Sequence, residues 1–171
     1  MPAWGRARRA GMRLAGIVAA CAAFCVAASA QFVYVKSDAT GLGDGSDWPN
    51  AFTSIQTGIV SALPGQSVLV AAGTYSEGIA LPSDSNVLGG FTGVSGTEGD
   101  LGARDPWTNI STIDGSTAND GAPVLHVVII SDVGGVTLDG FRITGGLADL
   151  TGFDANGGGV VVDSLVSACT I

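Results

Sequence analysis

Short apolar runs separated by glycine-bearing turns set the rhythm of the chain from residue 31 onward. Phe32-Val-Tyr-Val35 alternates and is rich in β-formers, which predicts an opening strand. The polar stretch 36–50 reads as a loop. Thr53 and Gln56 have the spacing of a capping box, and Ile55, Ile59, Ala62 and Leu63 then share one helical face. Pro64-Gly65 ends that helix. Beyond it, strand-like runs recur at 67–71, 79–81, 87–91, 110–115, 124–130, 136–144, 159–162 and 166–171. Val127-Val-Ile-Ile130 and Val160-Val-Val162 are apolar without alternation, as parallel strands covered on both faces are. Gly89-Gly90, Gly134-Gly135, Gly145-Gly146 and the triplet 157–159 supply left-handed turns between runs.

One motif returns. Thr112-Ile-Asp-Gly115 is echoed by Thr137-Leu-Asp-Gly140 at a spacing of 25 residues. A repeat of that length, built from β-branched runs and glycine turns, points to coils that stack, with Ile113 lying over Leu138. The expected fold is all-β: a parallel stack of coils, or solenoid, of about three to four coils over residues 67–171. Residues 31–66 form its N-terminal cap of strand, loop and amphipathic helix, hiding apolar side chains that have no preceding coil. The apolar run 167–171 closes the chain without a turn or polar cap, so the solenoid is expected to be truncated at its C-terminus, the first part of a longer protein.

Residues 1–30 stand apart. Arg6, Arg8, Arg9 and Arg13 make a basic n-region, residues 14–26 are almost wholly apolar, and Ala28-Ser-Ala30 offers a small-x-small cleavage site. The apolar segment is shorter than the ~20 residues a membrane anchor needs. A lipoprotein box at Val18-Ala-Ala-Cys21 would leave too short an apolar core, and a twin-arginine signal at Arg8-Arg9 has poor flanks. The expectation is an ordinary signal peptide, a mature chain starting at Gln31, and export to the cell surface or medium.

Charge changes once that segment is set aside. All fifteen acidic side chains lie after Ala30, against Lys36, Arg104 and Arg142, a balance of −12. Such a chain repels nucleic acid and anionic membrane surfaces. Cys21 and Cys25 leave with the signal, so Cys169 has no intrachain partner and reads as a small packing residue.

Several segments carry a family likeness. Tyr34-Val-Lys-Ser-Asp-Ala-Thr-Gly41, Trp48-Pro-Asn-Ala-Phe-Thr-Ser-Ile-Gln56, Val70-Ala-Ala-Gly-Thr-Tyr75, Leu88-Gly-Gly-Phe-Thr-Gly93, Ala103-Arg-Asp-Pro106 and the two Asp-Gly motifs resemble the opening of secreted bacterial right-handed parallel β-helix proteins. These belong to the pectin-lyase-like superfamily and include polymorphic outer-membrane and autotransporter-type surface proteins. The resemblance covers nearly all of residues 32–171. It implies a fold; for function it spans lyases, hydrolases, adhesins and stalks.

Candidate chemistry is sparse. Asp38, Asp44 and Asp47 crowd one glycine-containing loop and are candidate calcium ligands, although the loop lacks EF-hand spacing. Asp114 and Asp139 are expected to stack on one face with Arg142 nearby, the arrangement the resemblance links to calcium-dependent lyases. Two carboxylates supply too few oxygens for calcium, and both precede glycine, so Asp114-Gly115 and Asp139-Gly140 read as structural turns. Arg142, flanked by Phe141 and Ile143, is expected to point outward and pair with a neighbouring Asp. Asp132, Asp139, Asp149, Asp154 and Asp163 are available to a hydrolase, but their spacing selects no pair. His126 reads as an outward or hydrogen-bonded strand residue. Trp48 and Tyr75 are expected to pack cap against coil and Trp107 to anchor the excursion 92–109. With Phe153, these aromatics are also the candidate sugar platforms. Asn109-Ile-Ser111 is a glycosylation sequon, meaningful in a eukaryotic secretory route. Gly41-Leu-Gly43 lacks the strand–helix context of a nucleotide site.

The functional expectation is a secreted or cell-surface scaffold or adhesin, contacting polysaccharide or other surface components, without catalysis in this portion and without nucleic-acid partners. The alternative is a pectate-lyase-like lyase or a glycoside hydrolase whose site lies on later coils.

Overall fold

The computed structural model describes residues 31–131, 134–148, 158–163 and 169–171. The proposed signal segment, together with Asp132, Asp149, Phe153 and Asp154, lies outside them. Strand β1 (Phe32–Val35) opens the fold, followed by the short helix α1 (Ile55–Ser61). Then come β2 (Ser67–Ala71), β3 (Gly73–Tyr75), β4 (Ile79–Ala80) and β5 (Asn86–Phe91). Strand β6 (Ser111–Asp114) precedes β7 (Val128–Ser131), β8 (Val136–Asp139) and β9 (Phe141–Thr144). Strands β10 (Val160–Asp163) and β11 (Cys169–Thr170) follow. The protein is mainly β.

The strands form three sheets, ordered β1-β2-β5-β8-β11, β3-β6-β9 and β4-β7-β10. Every pairing between these strands is parallel. From β2 onward the chain visits the sheets in strict rotation, and within each sheet strands lie in chain order. Inward side chains therefore meet in register: Val33, Val68, Val87 and Leu138 in the first sheet, Tyr75, Ile113 and Ile143 in the second, Ile79, Val128 and Val160 in the third. Residues of all three sheets join Ile55 and Ile59 of α1 in one buried cluster.

The Asp-Gly echo does not mark the stacking period. Thr112-Ile113-Asp114 lies on β6 of the second sheet, where Ile113 pairs with Ile143; Thr137-Leu138-Asp139 lies on β8 of the first, where Leu138 pairs with Val87. Partner intervals vary from 19 residues (Val68 to Val87) to 51 (Val87 to Leu138), because the loops differ in length. The two motifs look alike since each is a strand end at a corner, but the corners differ. Gly140 adopts φ +82° between β8 and β9, dividing the single run expected over 136–144. Gly115 has no positive φ; a side chain there would instead strike Val124 and Val127.

The first sheet is covered on both faces. Alternate residues of β1, β2 and β5 turn away from the common core, and Tyr34, Leu69, Ala71 and Phe91 form a second cluster with Trp48 and Ala51 from the loop after β1. Trp48 is 1% exposed and meets Tyr34 edge-on at 4.8 Å. Tyr75 is buried as expected; its hydroxyl donates to Ala71 O at 2.9 Å, and burial pushes its phenol above the usual tyrosine range. The same loop closes the free side of β1: Tyr34 N donates to Gly45 O, Phe52 N to Tyr34 O and Lys36 N to Phe52 O, leaving no open edge there.

Helix α1 departs from the expected cap by one residue. Ser54, not Thr53, is the N-cap, accepting from Thr57 N at 3.2 Å. Gln56 does not reach back; its amide bonds Ala80 on β4. The remaining amides at the helix start are taken by Glu77, which accepts from Ile55 N at 2.6 Å, Gln56 N at 3.1 Å and the Ser54 hydroxyl at 2.8 Å. A carboxylate at the positive end of the peptide dipoles is stabilising, and this one comes from 22 residues along the chain. Ile55 and Ile59 face the core, and Gly58 lets the helix close on Val35, where a Cβ would sit 2.5 Å from Val35 Cγ2. Leu63 lies past the helix end and is exposed, so it takes no part in that face.

Two outcomes test this fold. In-register parallel strands hold Cα atoms about 4.8 Å apart, inside the roughly 4.4–6.8 Å window of a disulfide. Thr74→Cys with Thr112→Cys is therefore expected to cross-link on oxidation, and Thr112→Cys with Thr137→Cys is not; peptide mapping by mass spectrometry reads both. Glu77→Ala is expected to cost about 2 kcal/mol of unfolding free energy in urea, with Glu77→Gln in between.

Candidate functional site

The segment between β5 and β6 is a strap laid along the corner of the first and second sheets. Asp100 caps the short 3-10 helix Leu101–Ala103, and Arg104 leaves it in extended conformation. Arg104 Nε donates to Gly89 O at 2.5 Å, within the strap's own corner. Its Nη1 donates to Asp139 Oδ2 at 2.7 Å, at the corner one circuit later. Pro106 lies over both corners: a Cβ on Gly90 would come 2.8 Å from its ring, and one on Gly140 would fall on Arg104 Nη2 and 3.1 Å from Pro106 Cγ. Glycine at 140 is thus required twice, by its positive φ and by the arginine lying against it.

Asp105 fixes the end of the strap. Its carboxylate accepts from the Thr108 hydroxyl at 2.8 Å and from the amides of Trp107 and Thr108. These bonds, the Thr108 hydroxyl first, hold its pKa below the usual carboxylate range. The turn so formed lifts the Trp107 side chain into solvent, 93% exposed. Beside it runs a groove of about 670 Å³, lined by Trp107, Ile110, Asp139, Phe141 and Arg142 with backbone at Gly140. Arg142 is exposed on β9 in register with Thr112, and no carboxylate among the described residues pairs with it. The arrangement offers an aromatic face, a guanidinium donor and a half-exposed carboxylate whose Oδ2 is held by Arg104.

Other candidates fall in separate places. Asp38 pairs with Lys36 at 3.1 Å, Asp44 accepts from Ser46 N and Asp47 from Asn50 N. The Ser46 bonds hold Asp44 below its usual pKa range. Among the described residues no three His, Cys, Asp or Glu side chains are gathered closely enough to hold a metal ion. Asp114 and Asp139, expected on one face, stand on different sheets; Asp114 accepts from Ser116 N at 2.9 Å and Asp139 binds Arg104. Among the described residues no carboxylate pairs with Arg142, and Asp139 is held by Arg104. His126 is buried just before β7 rather than within a longer strand. Asp163 is an exposed residue of β10, and Cys169 contributes backbone to β11.

Trp107 overturns its expected role as anchor, since its ring is packed against almost nothing; Arg104 and Pro106 fasten the strap instead. The Asn109 sequon is occupied by the fold: the side-chain amide donates to Gly90 O at 3.3 Å, and Ser111 is buried, its hydroxyl bonded to Ala71 O at 3.0 Å. Sequence reasoning missed Arg104, which entered only as a charge and as part of Ala103-Arg-Asp-Pro106. Its signal was scarcity, one of three basic residues after position 30 in an otherwise acidic chain.

No family model matches the chain, and neither a curated protein nor a solved structure does so. Arg104→Met keeps most of the buried stem and removes both bonds. It is expected to cost about 1–2 kcal/mol in chemical denaturation and to speed amide exchange across residues 101–106.

Proposed function

We propose that this chain is an exported protein whose three sheets wind as a right-handed parallel β-helix, acting at the cell surface or in the medium as a scaffold or adhesin that contacts carbohydrate. The observation that carries the reading is the strict rotation of strands through three parallel sheets, each stacked in chain order. A chain that returns to every sheet one strand further along advances as a helix, and parallel crossovers are overwhelmingly right-handed. Helix α1, which sends Ile55 and Ile59 into the core, and the loop over β1 suit a cap on the first coil.

Export is supported by the basic and apolar segments before Ala28-Ser-Ala30 and by the acidic balance that follows. No helix among the described residues is long and apolar enough to cross a membrane. A contact role is favoured over catalysis because Asp114 and Asp139 belong to different sheets and the loop carboxylates are each engaged locally. The alternative of a polysaccharide lyase draws no support from Arg142, whose surroundings hold an aromatic ring and one carboxylate already paired.

Expression with its own leader in a bacterial host tests both halves. The exported fraction is expected to begin at Gln31 by N-terminal mass spectrometry, and to release no unsaturated ends from polygalacturonate with calcium. Retention of the whole chain from Met1 in the cytosol would refute export. Unsaturated product lost on Arg142→Ala would replace the scaffold with a lyase.

A further inference from the structure

We propose that the groove beside Trp107 is a binding site for a neutral glycan, one pyranose ring lying on the indole while its hydroxyl rim meets Asp139 and Arg142. The proposal rests on the carbohydrate-contacting reading above and gives it a place and a ligand class.

Trp107 is the anomaly that calls for a ligand. Tyr34, Trp48, Tyr75 and Phe91 are buried, and Phe32, Phe52 and Phe141 are packed against a core cluster. An indole left in water forgoes the burial that aromatic side chains otherwise gain. This one is held out rather than left loose. Asp105 ties down the Trp107 amide, and Arg104 and Pro106 clamp the preceding residues across two corners. Backbone already fixed at the turn has little freedom left to lose on binding, so the cost of ordering falls on the indole's own two torsions.

The rest of the groove matches a sugar's two kinds of surface. Pyranose rings have an apolar face of C–H groups and an edge of hydroxyls that both donate and accept. The indole, with Ile110 and Phe141 beside it, meets the first. Asp139, one oxygen held by Arg104, accepts from hydroxyls, and Arg142 donates to them. The groove's volume, about 670 Å³, falls within the range of small-ligand sites. Charge selects the class: Arg104 and Asp139 neutralise each other, Arg142 pairs with no carboxylate among the described residues, and residues 31–171 carry −12. A polyanionic polymer would be repelled at long range; an uncharged one would not.

The two tryptophans after residue 30 make the test direct, since Trp48 is buried and Trp107 is open to a quencher. The whole exported chain is titrated with cellohexaose, maltohexaose and mannohexaose, and with hexagalacturonate as the anionic arm. Acrylamide quenching and calorimetry read the binding. At least one neutral oligosaccharide is expected to protect Trp107 saturably, with a Kd below about 1 mM. Trp107→Ala is expected to weaken binding at least tenfold and Arg142→Ala several-fold, with the melting temperature unchanged because both side chains are exposed. The proposal is overturned if no neutral oligosaccharide binds within that limit, if Trp107→Ala binds as well as the parent, or if hexagalacturonate alone binds. A chain processed at Gln31 that binds no sugar sinks the groove and leaves export standing. A chain kept in the cytosol sinks export whatever the groove does.

Discussion

In-register stacking of aliphatic side chains between parallel strands is the constraint from which the rest of the molecule follows. Val33, Val68, Val87 and Leu138 lie one behind another along the first sheet, and equivalent rows from the other two sheets meet them in one buried cluster. Each such side chain contributes on the order of 1.5–3 kcal/mol by leaving water, but only while the register holds. A slip of one residue would turn a whole row outward. Loops between strands are free to vary because register, not loop length, preserves the row. That freedom explains partner intervals as different as 19 residues (Val68 to Val87) and 51 (Val87 to Leu138) in one sheet.

The longest excursions fall where the first sheet needs cover. The loop after β1 brings Trp48 and Ala51 against the outer face of that sheet and occupies the free side of β1. The strap after β5 starts over the same face and runs down to the next corner. It is joined there by a guanidinium that bonds one corner's carbonyl and the next corner's carboxylate. A single side chain thus couples two circuits of the chain from outside, as the aliphatic rows do from within. Glu77 does the same work at the other end, tying the start of α1 to the segment between β3 and β4.

This division of labour separates what must be rigid from what is displayed. The corner at Gly140 cannot accept a side chain, and the turn at Asp105 is closed by three hydrogen bonds to its carboxylate and two to its carbonyl. The backbone of Trp107 shares that rigidity, while its ring stands outside the packing. The proposed glycan contact therefore sits on a frame fixed by the fold, while the residues that touch solvent there are free to be chosen for chemistry.

The sequence by itself determined the parallel character and most strand positions, though not β3 (Gly73–Tyr75) or the division of 136–144 into β8 and β9. β-branched runs such as Val68-Leu-Val70 and Val127-Val-Ile-Ile130 have no polar face to offer water, so both faces must be covered. It also determined the helix, its end near Pro64-Gly65, and the packing role of Trp48 and Tyr75. Tertiary structure alone decided which strand lies on which. The Thr112-Ile-Asp-Gly115 and Thr137-Leu-Asp-Gly140 motifs are nearly identical locally, yet they occupy different sheets, because stacking is chosen by long-range register that a local motif does not encode. Likewise Ser54 displaced Thr53 as the cap once a carboxylate from Glu77 was in reach. Arg104 found Asp139 before Arg142 could, through a strap whose path depends on corners far apart in the chain. Burial, finally, is a property of the assembled surface: an exposed Trp107 and a buried Trp48 are the same residue type until the fold puts one under a loop and leaves the other on a turn.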